Sequence, residues 1–181
     1  MRRRHLLAGL ASAGALGGAG VVASGRTPDA LGGDDGPEPV DPVTLDTVEA
    51  RGSRDGEVTL PATDRPTFID FFATWCKPCI EQMPDLVEAH DRLGEEVLFV
   101  SVTPEDVGGA VSEATVADWW REHDGNWLVA ADVSAELAAQ LNVGGYPSAR
   151  AVDATGRVRW ETSGTHTTEE FVEGIESALD R

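Results

Sequence analysis

The chain has 181 residues, of which 41% are hydrophobic, so it is long enough for one domain with a buried core. Its formal net charge is −18. A polyanion would repel so acidic a protein, which excludes nucleic acid as an expected partner.

The N-terminus has the pattern of an export signal. Residues 1–25 begin with three arginines, continue with a weakly apolar Gly/Ala-rich run and end in small residues. The string Arg3-Arg4-His5-Leu6-Leu7 resembles a twin-arginine motif, so we predict a twin-arginine-type signal or an N-terminal membrane anchor. Residues 26–42 are rich in Gly, Pro and Asp and predict a solvated acidic linker. We therefore expect an exported protein, secreted or anchored at the cell surface.

The globular part is predicted to span residues 43–181. Residues 44–50 and 57–60 favour a β-hairpin with its turn at Asp55-Gly56. The β-prone apolar residues over 67–72 predict a central strand. A helix is predicted directly after it, over 77–93, so the chain reads strand, turn, helix at this point.

Cys76 and Cys79 are the two cysteines of the chain and lie between this strand and this helix. Their spacing suits a disulfide across the first helical turn, with Cys76 at the exposed end and Cys79 one turn inward. Because the first amides of a helix lack internal partners, they stabilise a thiolate, so Cys76 is the predicted nucleophile and Cys79 the resolving thiol. Pro78 lies where a missing N–H costs little.

Lys77 is predicted to assist the amides in activating Cys76. Lowering a thiol pKa from about 8.5 to about 7 requires roughly 2 kcal/mol. Arginine accounts for all but one of the fourteen basic residues, and Lys77 is the only lysine. An acidic, lysine-poor composition resembles that of salt-accumulating halophiles, particularly haloarchaea. In molar salt the Debye length is about 3 Å, so we expect the groups in direct contact with the sulfur to set its pKa.

Two other uses of a Cys-x-x-Cys pair fit the sequence less well. A closed structural zinc site needs four ligands, whereas this chain has no second cysteine pair and its histidines lack ligand spacing. An inert structural disulfide would close a loop of only four residues, which gives little loop-closure entropy. We therefore expect a redox-active dithiol with no metal and no cofactor.

The residues around this pair resemble those of thioredoxins, and the string 73–79 is most similar to the exported TlpA/ResA branch of thioredoxin-like proteins. The resemblance implies an α/β fold with a central mixed β-sheet flanked by helices, an N-terminal β-hairpin and a central helix-strand insertion. It also implies that Asp70, a buried acid, takes and returns the proton of Cys79. The matching positions are Asp70, Phe71, Ala73, Trp75, Cys76, Pro78 and Cys79.

The second half of the chain continues the α/β pattern. An almost continuous apolar run over 97–103 predicts a buried parallel strand whose end lies near the dithiol. Glu105 and Asp106 follow it, and we expect a solvated acidic loop there rather than an influence on the cysteines. Trp119 and Trp120 are expected to be packing residues. Further elements are predicted over 113–123 (helix), 127–130 (strand), 134–141 (helix capped by Ser134), 149–152 and 157–162 (strands), and 168–179 (helix).

The loop 142–148 contains Tyr146-Pro147 before a predicted strand. It resembles the thioredoxin loop whose proline follows a cis peptide bond, which X-Pro pairs tolerate at about 0.5 to 1 kcal/mol. The resemblance implies that this loop faces the dithiol, that Tyr146 and Pro147 hold an extended substrate segment, and that Trp75 covers the cysteines.

The sequence therefore predicts an exported thiol-disulfide oxidoreductase that exchanges disulfides with protein cysteines. The resemblance implies a reductant, fed by a membrane thiol carrier and acting in processes such as cytochrome c maturation. An oxidant that introduces disulfides stays open, because direction depends on the reduction potential. A non-enzymatic binding module or metallochaperone is the alternative of another class.

Overall fold

The computed structural model describes residues 37–179. The predicted signal or anchor, 1–25, and most of the predicted linker lie outside the described residues. No helix within 37–179 is both long enough and apolar enough to cross a membrane. The last linker residues are joined to the domain, because the Val40 N–H donates to the Gly156 carbonyl at 2.8 Å.

Between residues 37 and 179 the chain forms seven strands and four helices. In chain order they are β1 (Val43–Thr47), β2 (Gly56–Leu60), β3 (Thr67–Phe71), α1 (Lys77–Leu93), β4 (Leu98–Thr103), α2 (Glu113–Glu122), β5 (Leu128–Ala131), α3 (Glu136–Gln140), β6 (Ser148–Val152), β7 (Val158–Ser163) and α4 (Thr168–Leu179).

One mixed sheet contains all seven of these strands, in the order β2-β1-β5-β4-β3-β6-β7. The three central strands run parallel, since β4 pairs in parallel with both β3 and β5. Antiparallel pairs complete the sheet on both sides. On one side β1 pairs with β5 and with β2. On the other side β6 pairs with β3 and with β7. The mixed sheet and the N-terminal hairpin match the prediction.

Strand β3, one of the three central strands, is buried along its whole length and has a hydrophobic cluster on each face. Because side chains alternate along a strand, Phe68 and Phe72 face the cluster that includes Cys76 and Cys79. Ile69 and Phe71 face the other cluster, on the α3 side. The dithiol therefore lies at the carboxyl end of β3, on the α1 face of the sheet.

The hairpin turn is not at Asp55-Gly56 as predicted. A bridge pairs Ala50 with Ser53, so the chain reverses at Arg51-Gly52, and Gly56 is already in β2. Gly52 has φ +75°, and a Cβ there would lie 2.1 Å from the Asn126 carbonyl carbon. A glycine is required there by both conformation and space.

The predicted helix cap Ser134 is also wrong. Ala135 occupies the N-cap position of α3 with φ 55°, and it makes no side-chain capping bond. Asp132, three residues before Ala135, caps the helix instead, because its Oδ2 accepts a hydrogen bond from the Ala138 N–H at 2.8 Å. A carboxylate satisfies an unpaired helix amide and also complements the helix dipole.

Candidate active site

Cys76 and Cys79 are joined by a disulfide with an S–S distance of 2.07 Å and a Cα–Cα distance of 5.3 Å. Cys76 is the N-cap of α1, and Cys79 lies in the first turn. The predicted bond across the first helical turn is thus present. It is held between the end of β3 and the start of α1, two elements whose bounds the sequence predicts to within one residue.

The backbone at the start of α1 is aimed at the Cys76 sulfur. The Cys79 N–H donates to Cys76 Sγ at 3.2 Å. Pro78 is in the first turn and has no N–H of its own. A thiolate at Cys76 would keep this donor and would also lie at the positive end of the helix dipole. The helix start is therefore built to favour the thiolate form of Cys76.

Both cysteines are buried, which corrects the prediction that Cys76 is exposed. Only 4% of the Cys76 surface and 2% of the Cys79 surface is accessible. The reason is packing, since both residues belong to the hydrophobic cluster of the α1 face, with Tyr146 packed against it. Approach to the dithiol is therefore restricted.

The Lys77 side chain lies at the surface of α1. Its ammonium lies 3.7 Å from the Glu81 carboxylate, and both side chains are exposed. An exposed pair of this kind contributes about 0 to 1 kcal/mol. The direct contact with the Cys76 sulfur comes from a helix amide, while a tuning role for Lys77 stays a prediction.

Asp70 is buried on β3, with 1% of its surface accessible. Alternation along the strand places it on the same face as Phe68 and Phe72, the face that carries the dithiol. Burial raises the pKa of Asp70 to about 7, although a hydrogen bond from Ser101 acts in the opposite direction. Its carboxyl group therefore titrates near neutral pH, as an acid–base residue requires.

The loop before β6 carries the predicted substrate-binding residues. The Tyr146–Pro147 peptide bond is cis, as predicted. The Trp75 ring meets the Tyr146 ring edge-on, with 6.2 Å between centroids. Trp75 is 72% exposed, so the structure brings these two aromatic residues together at the surface.

Glu105 is a site residue whose contact was not predicted from the sequence. Its carboxylate accepts from the Thr74 N–H at 2.7 Å and from Thr74 Oγ1 at 2.8 Å. The expected solvated acidic loop is wrong for this residue, since β3 and β4 are parallel neighbours whose carboxyl ends meet. Asp106, by contrast, is exposed and accepts from Ala110 within its own loop. Glu105 therefore anchors the turn that leads into Cys76.

Arg150 is the second residue missed. It lies on β6 with 4% of its surface accessible, and its guanidinium donates to the carbonyls of Leu141 at 3.1 Å and Thr162 at 2.9 Å. The available signal was a charged residue in the middle of a strand-forming run. By holding the end of α3 against β7, Arg150 supports the loop that presents Tyr146.

A groove of about 360 Å³ lies between α1 and the end of α2. Ile80, the residue after Cys79, is 36% exposed at its edge. Its apolar wall is Ile80, Met83, Pro84 and Val87, and its acidic wall includes Glu122 and Asp124. Trp75 and Ile80 thus give the buried dithiol an apolar border.

The chain is similar to proteins named as thiol-disulfide oxidoreductases. The Redoxin family model matches residues 41–179. A thiol-disulfide oxidoreductase ResA from Bacillus cereus is 27% identical over 104 residues, which cover 58% of each chain. The corresponding protein of Geobacillus kaustophilus is 27% identical over 113 residues, or 61% of each chain. The match therefore spans about three fifths of these relatives.

Solved structures match a larger part of the chain. StoA from Bacillus subtilis aligns with a TM-score of 0.60 at 20% identity, covering 75% of this chain and 98% of that one. A thio-disulfide isomerase from Thermus thermophilus aligns with a TM-score of 0.63 at 22% identity, covering 80% and 96%. These likenesses confirm the predicted thioredoxin-like fold.

Proposed function

The chain belongs to the Redoxin family, and from this premise we propose that it is an exported thiol-disulfide oxidoreductase that reduces disulfides in protein substrates. The observation that carries the proposal is the Cys76–Cys79 disulfide at the start of α1, with a helix amide on the Cys76 sulfur. The relatives named as thiol-disulfide oxidoreductases support it.

The reaction consists of two exchange steps. The Cys76 thiolate attacks one sulfur of a substrate disulfide, a mixed disulfide forms, and the other substrate sulfur leaves as a thiolate. Cys79 then loses its proton and attacks Cys76 Sγ, which releases the second substrate thiolate. The substrate gains two electrons, and the Cys76–Cys79 dithiol becomes a disulfide.

Asp70 is the proposed acceptor of the Cys79 proton. An unperturbed thiol has a pKa of about 8.5, and burial raises the pKa of Asp70 to about 7. A carboxyl group with a pKa near the working pH can both accept and return a proton, as a general acid–base residue requires. Asp70 then returns the proton when Cys79 is next reduced.

The surface around the dithiol supports a protein substrate. Trp75 and Ile80 expose apolar surface next to the buried cysteines in the chain, and Tyr146, which precedes Pro147, packs against the Trp75 ring. An extended cysteine-containing segment would pack on these groups and bring its disulfide to Cys76. The acidic wall of the neighbouring groove, with Glu122 and Asp124, favours segments with basic residues near the cysteine.

We further propose that the protein acts outside the cytoplasm as a reductant that a membrane thiol carrier recharges. The resemblance to TlpA/ResA-type proteins supports this direction, and apocytochrome c cysteines are one substrate class that fits it. The N-terminal residues that carry the export pattern lie outside the described residues.

Trapping the mixed disulfide tests the reaction order. In the Cys79→Ser variant, Cys76 attacks a substrate disulfide but no resolving thiol is present, so we expect one stable mixed disulfide per chain by mass spectrometry. Cys76→Ser is the matched control and is expected to trap far less, since Cys79 lacks the N-cap position. Equal trapping by both variants, or trapping by neither, would contradict the proposal.

A further inference from the structure

A chain of three buried side chains ends at Asp70. The Trp127 indole N–H donates to Ser101 Oγ at 3.0 Å, and Ser101 Oγ donates to Asp70 Oδ2 at 2.9 Å. Asp70 and Ser101 lie opposite each other on the parallel strands β3 and β4, and Trp127 directly precedes β5. All three residues are buried on the dithiol face of the sheet.

The direction of these hydrogen bonds follows from the chemistry of the groups. An indole nitrogen donates and has no acceptor lone pair, so Ser101 Oγ must accept from Trp127. A hydroxyl has a single hydrogen, which is then available for Asp70 Oδ2. The hydrogen bond from Trp127 therefore favours the orientation in which the Ser101 hydroxyl points its hydrogen at the carboxyl group.

The two oxygens of Asp70 consequently differ. Oδ2 accepts from Ser101, whereas Oδ1 is buried without a hydrogen-bond partner among the described residues. A proton on Oδ2 would compete with the Ser101 hydrogen, so a protonated Asp70 carries its proton on Oδ1. A buried polar atom without a partner is costly and calls for a functional explanation.

We propose that Ser101 and Trp127 are positioning residues, which hold Asp70 so that Oδ1 is the oxygen that exchanges a proton with Cys79. The inference rests on the proposed function, because it assigns the route of the proton that the second exchange step releases. The hydrogen bonds of Trp127 and Ser101 lead to Asp70 and not to the cysteine sulfurs. Trp127 therefore acts through Ser101, and Ser101 acts through Asp70.

The other groups around Asp70 do not supply an alternative anchor. The cysteines at the start of α1 are joined in a disulfide and do not titrate. His90, also on α1, has its ring 5.0 Å from the Trp127 ring. Burial lowers the pKa of His90, so its ring is neutral near pH 7. On β6 the residue opposite Asp70 is Ala149. Glu105, after β4, is engaged with Thr74. Ser101 is the hydrogen-bond partner that acts on Asp70.

Titration of the Asp70 carboxyl carbon by ¹³C NMR tests the inference without relying on activity. The oxidised protein is used, and the Asp70→Asn spectrum assigns the signal. In Ser101→Ala the carboxylate loses its hydrogen bond, so we expect the midpoint to rise by about one pH unit. In Trp127→Phe the hydroxyl is free to turn away, so a smaller rise is expected. Ser101→Thr keeps a hydroxyl and is expected to restore the midpoint.

Trp120→Phe is the matched control for Trp127→Phe. Trp120 is buried in the same cluster, and its indole N–H donates to the Arg51 carbonyl at 3.0 Å instead of to Ser101. We expect its midpoint to equal that of the unmodified protein. Unchanged midpoints in Ser101→Ala and Trp127→Phe, or a rise in Trp120→Phe equal to that in Trp127→Phe, would overturn the inference.

The pH profile of the second exchange step separates this inference from the proposed function. The rate at which Cys79 resolves a preformed mixed disulfide is expected to shift with the NMR midpoint, so that Ser101→Ala needs a higher pH for half-maximal rate. Unmoved profiles in an active protein would overturn the inference alone. Failure of the unmodified protein to resolve any mixed disulfide would overturn the proposed function.

Discussion

Replacing Asp70 by Asn should remove a pH dependence from the stability of this protein. Burial raises the pKa of Asp70 to about 7, while the unfolded chain has the ordinary value of 3.8. Between these values the folded state holds a proton that the unfolded state has lost. The stability that protonated Asp70 provides is therefore fully present below pH 3.8 and is lost as the pH rises toward 7.

The size of the effect follows from this window. Roughly three pH units at about 1.4 kcal/mol each give about 4 kcal/mol. We expect the free energy of unfolding of the unmodified protein to fall by about this amount relative to Asp70→Asn between pH 4 and pH 8, because the loss is completed only as the pH rises through the folded pKa. The prediction concerns how the difference in unfolding free energy between the two proteins changes with pH. Any effect of Asn on packing adds the same free energy at every pH.

Urea unfolding of both oxidised proteins from pH 4 to pH 8, at constant salt, measures the difference. The disulfide stays closed, so no thiol titrates. Asp153→Asn is the control. Burial opposes ionisation of Asp153, but hydrogen bonds from Thr155, Arg157 and Arg159 lower its pKa to about 2. The stability gained from ionised Asp153 is lost only as the pH falls below its unfolded value, so the control difference should be constant from pH 5 to 8. If the difference in unfolding free energy between the unmodified protein and Asp70→Asn is also constant from pH 5 to 8, Asp70 does not have a raised pKa in the folded state.

Substitutions at three further positions test the contacts that support the site and the hairpin turn. Glu105→Ala removes the carboxylate that accepts hydrogen bonds from Thr74. It is expected to lower the free energy of unfolding in urea by about 2 kcal/mol and to slow alkylation of reduced Cys76, with Glu105→Gln intermediate. Unchanged alkylation rates would argue against an anchoring role. Arg150→Met leaves buried carbonyls without donors and should lower the free energy of unfolding by about 3 kcal/mol in the same assay. We expect KM for a disulfide peptide to rise by a larger factor than kcat falls. A fall in kcat with no change in KM would contradict the role of Arg150 in supporting the loop. Gly52→Ala should lower the thermal midpoint through about 2 kcal/mol of strain; no change would show that the turn adapts.

The elements next to the cysteines could be predicted because their signals are local. The helix α1 starts where Cys76 and Pro78 favour an N-terminus, and its bounds match the predicted 77–93. The predicted helix 168–179 likewise matches α4. Its start combines a threonine with acids in the first turn, and Thr167 and Glu170 bond to each other there.

The contacts that the sequence did not predict join residues far apart in the chain. Glu105 reaches Thr74 across 31 positions, and Ser101 reaches Asp70 across 31. Both contacts depend on the register of β3 against β4, and a strand pattern states that a strand is buried without fixing its neighbour. The prediction that Cys76 is exposed was wrong for a similar reason, since the residues that pack around it come from several elements.

The Gly52 turn shows the same limit at short range. Asp55-Gly56 and Arg51-Gly52 both offer a glycine after a polar residue, and local turn chemistry does not choose between them. The choice is made by Asn126, whose backbone leaves no room for a Cβ at Gly52.

The reduction potential of the Cys76–Cys79 couple tests the central claim most directly. The oxidised and reduced forms are equilibrated with dithiothreitol or glutathione in molar salt and quantified by thiol alkylation. We predict a reversible two-electron couple near −270 mV, roughly that of thioredoxin. A value near −120 mV, roughly that of a disulfide-introducing oxidant, would contradict the proposed direction. The absence of any reversible couple would contradict the oxidoreductase function itself.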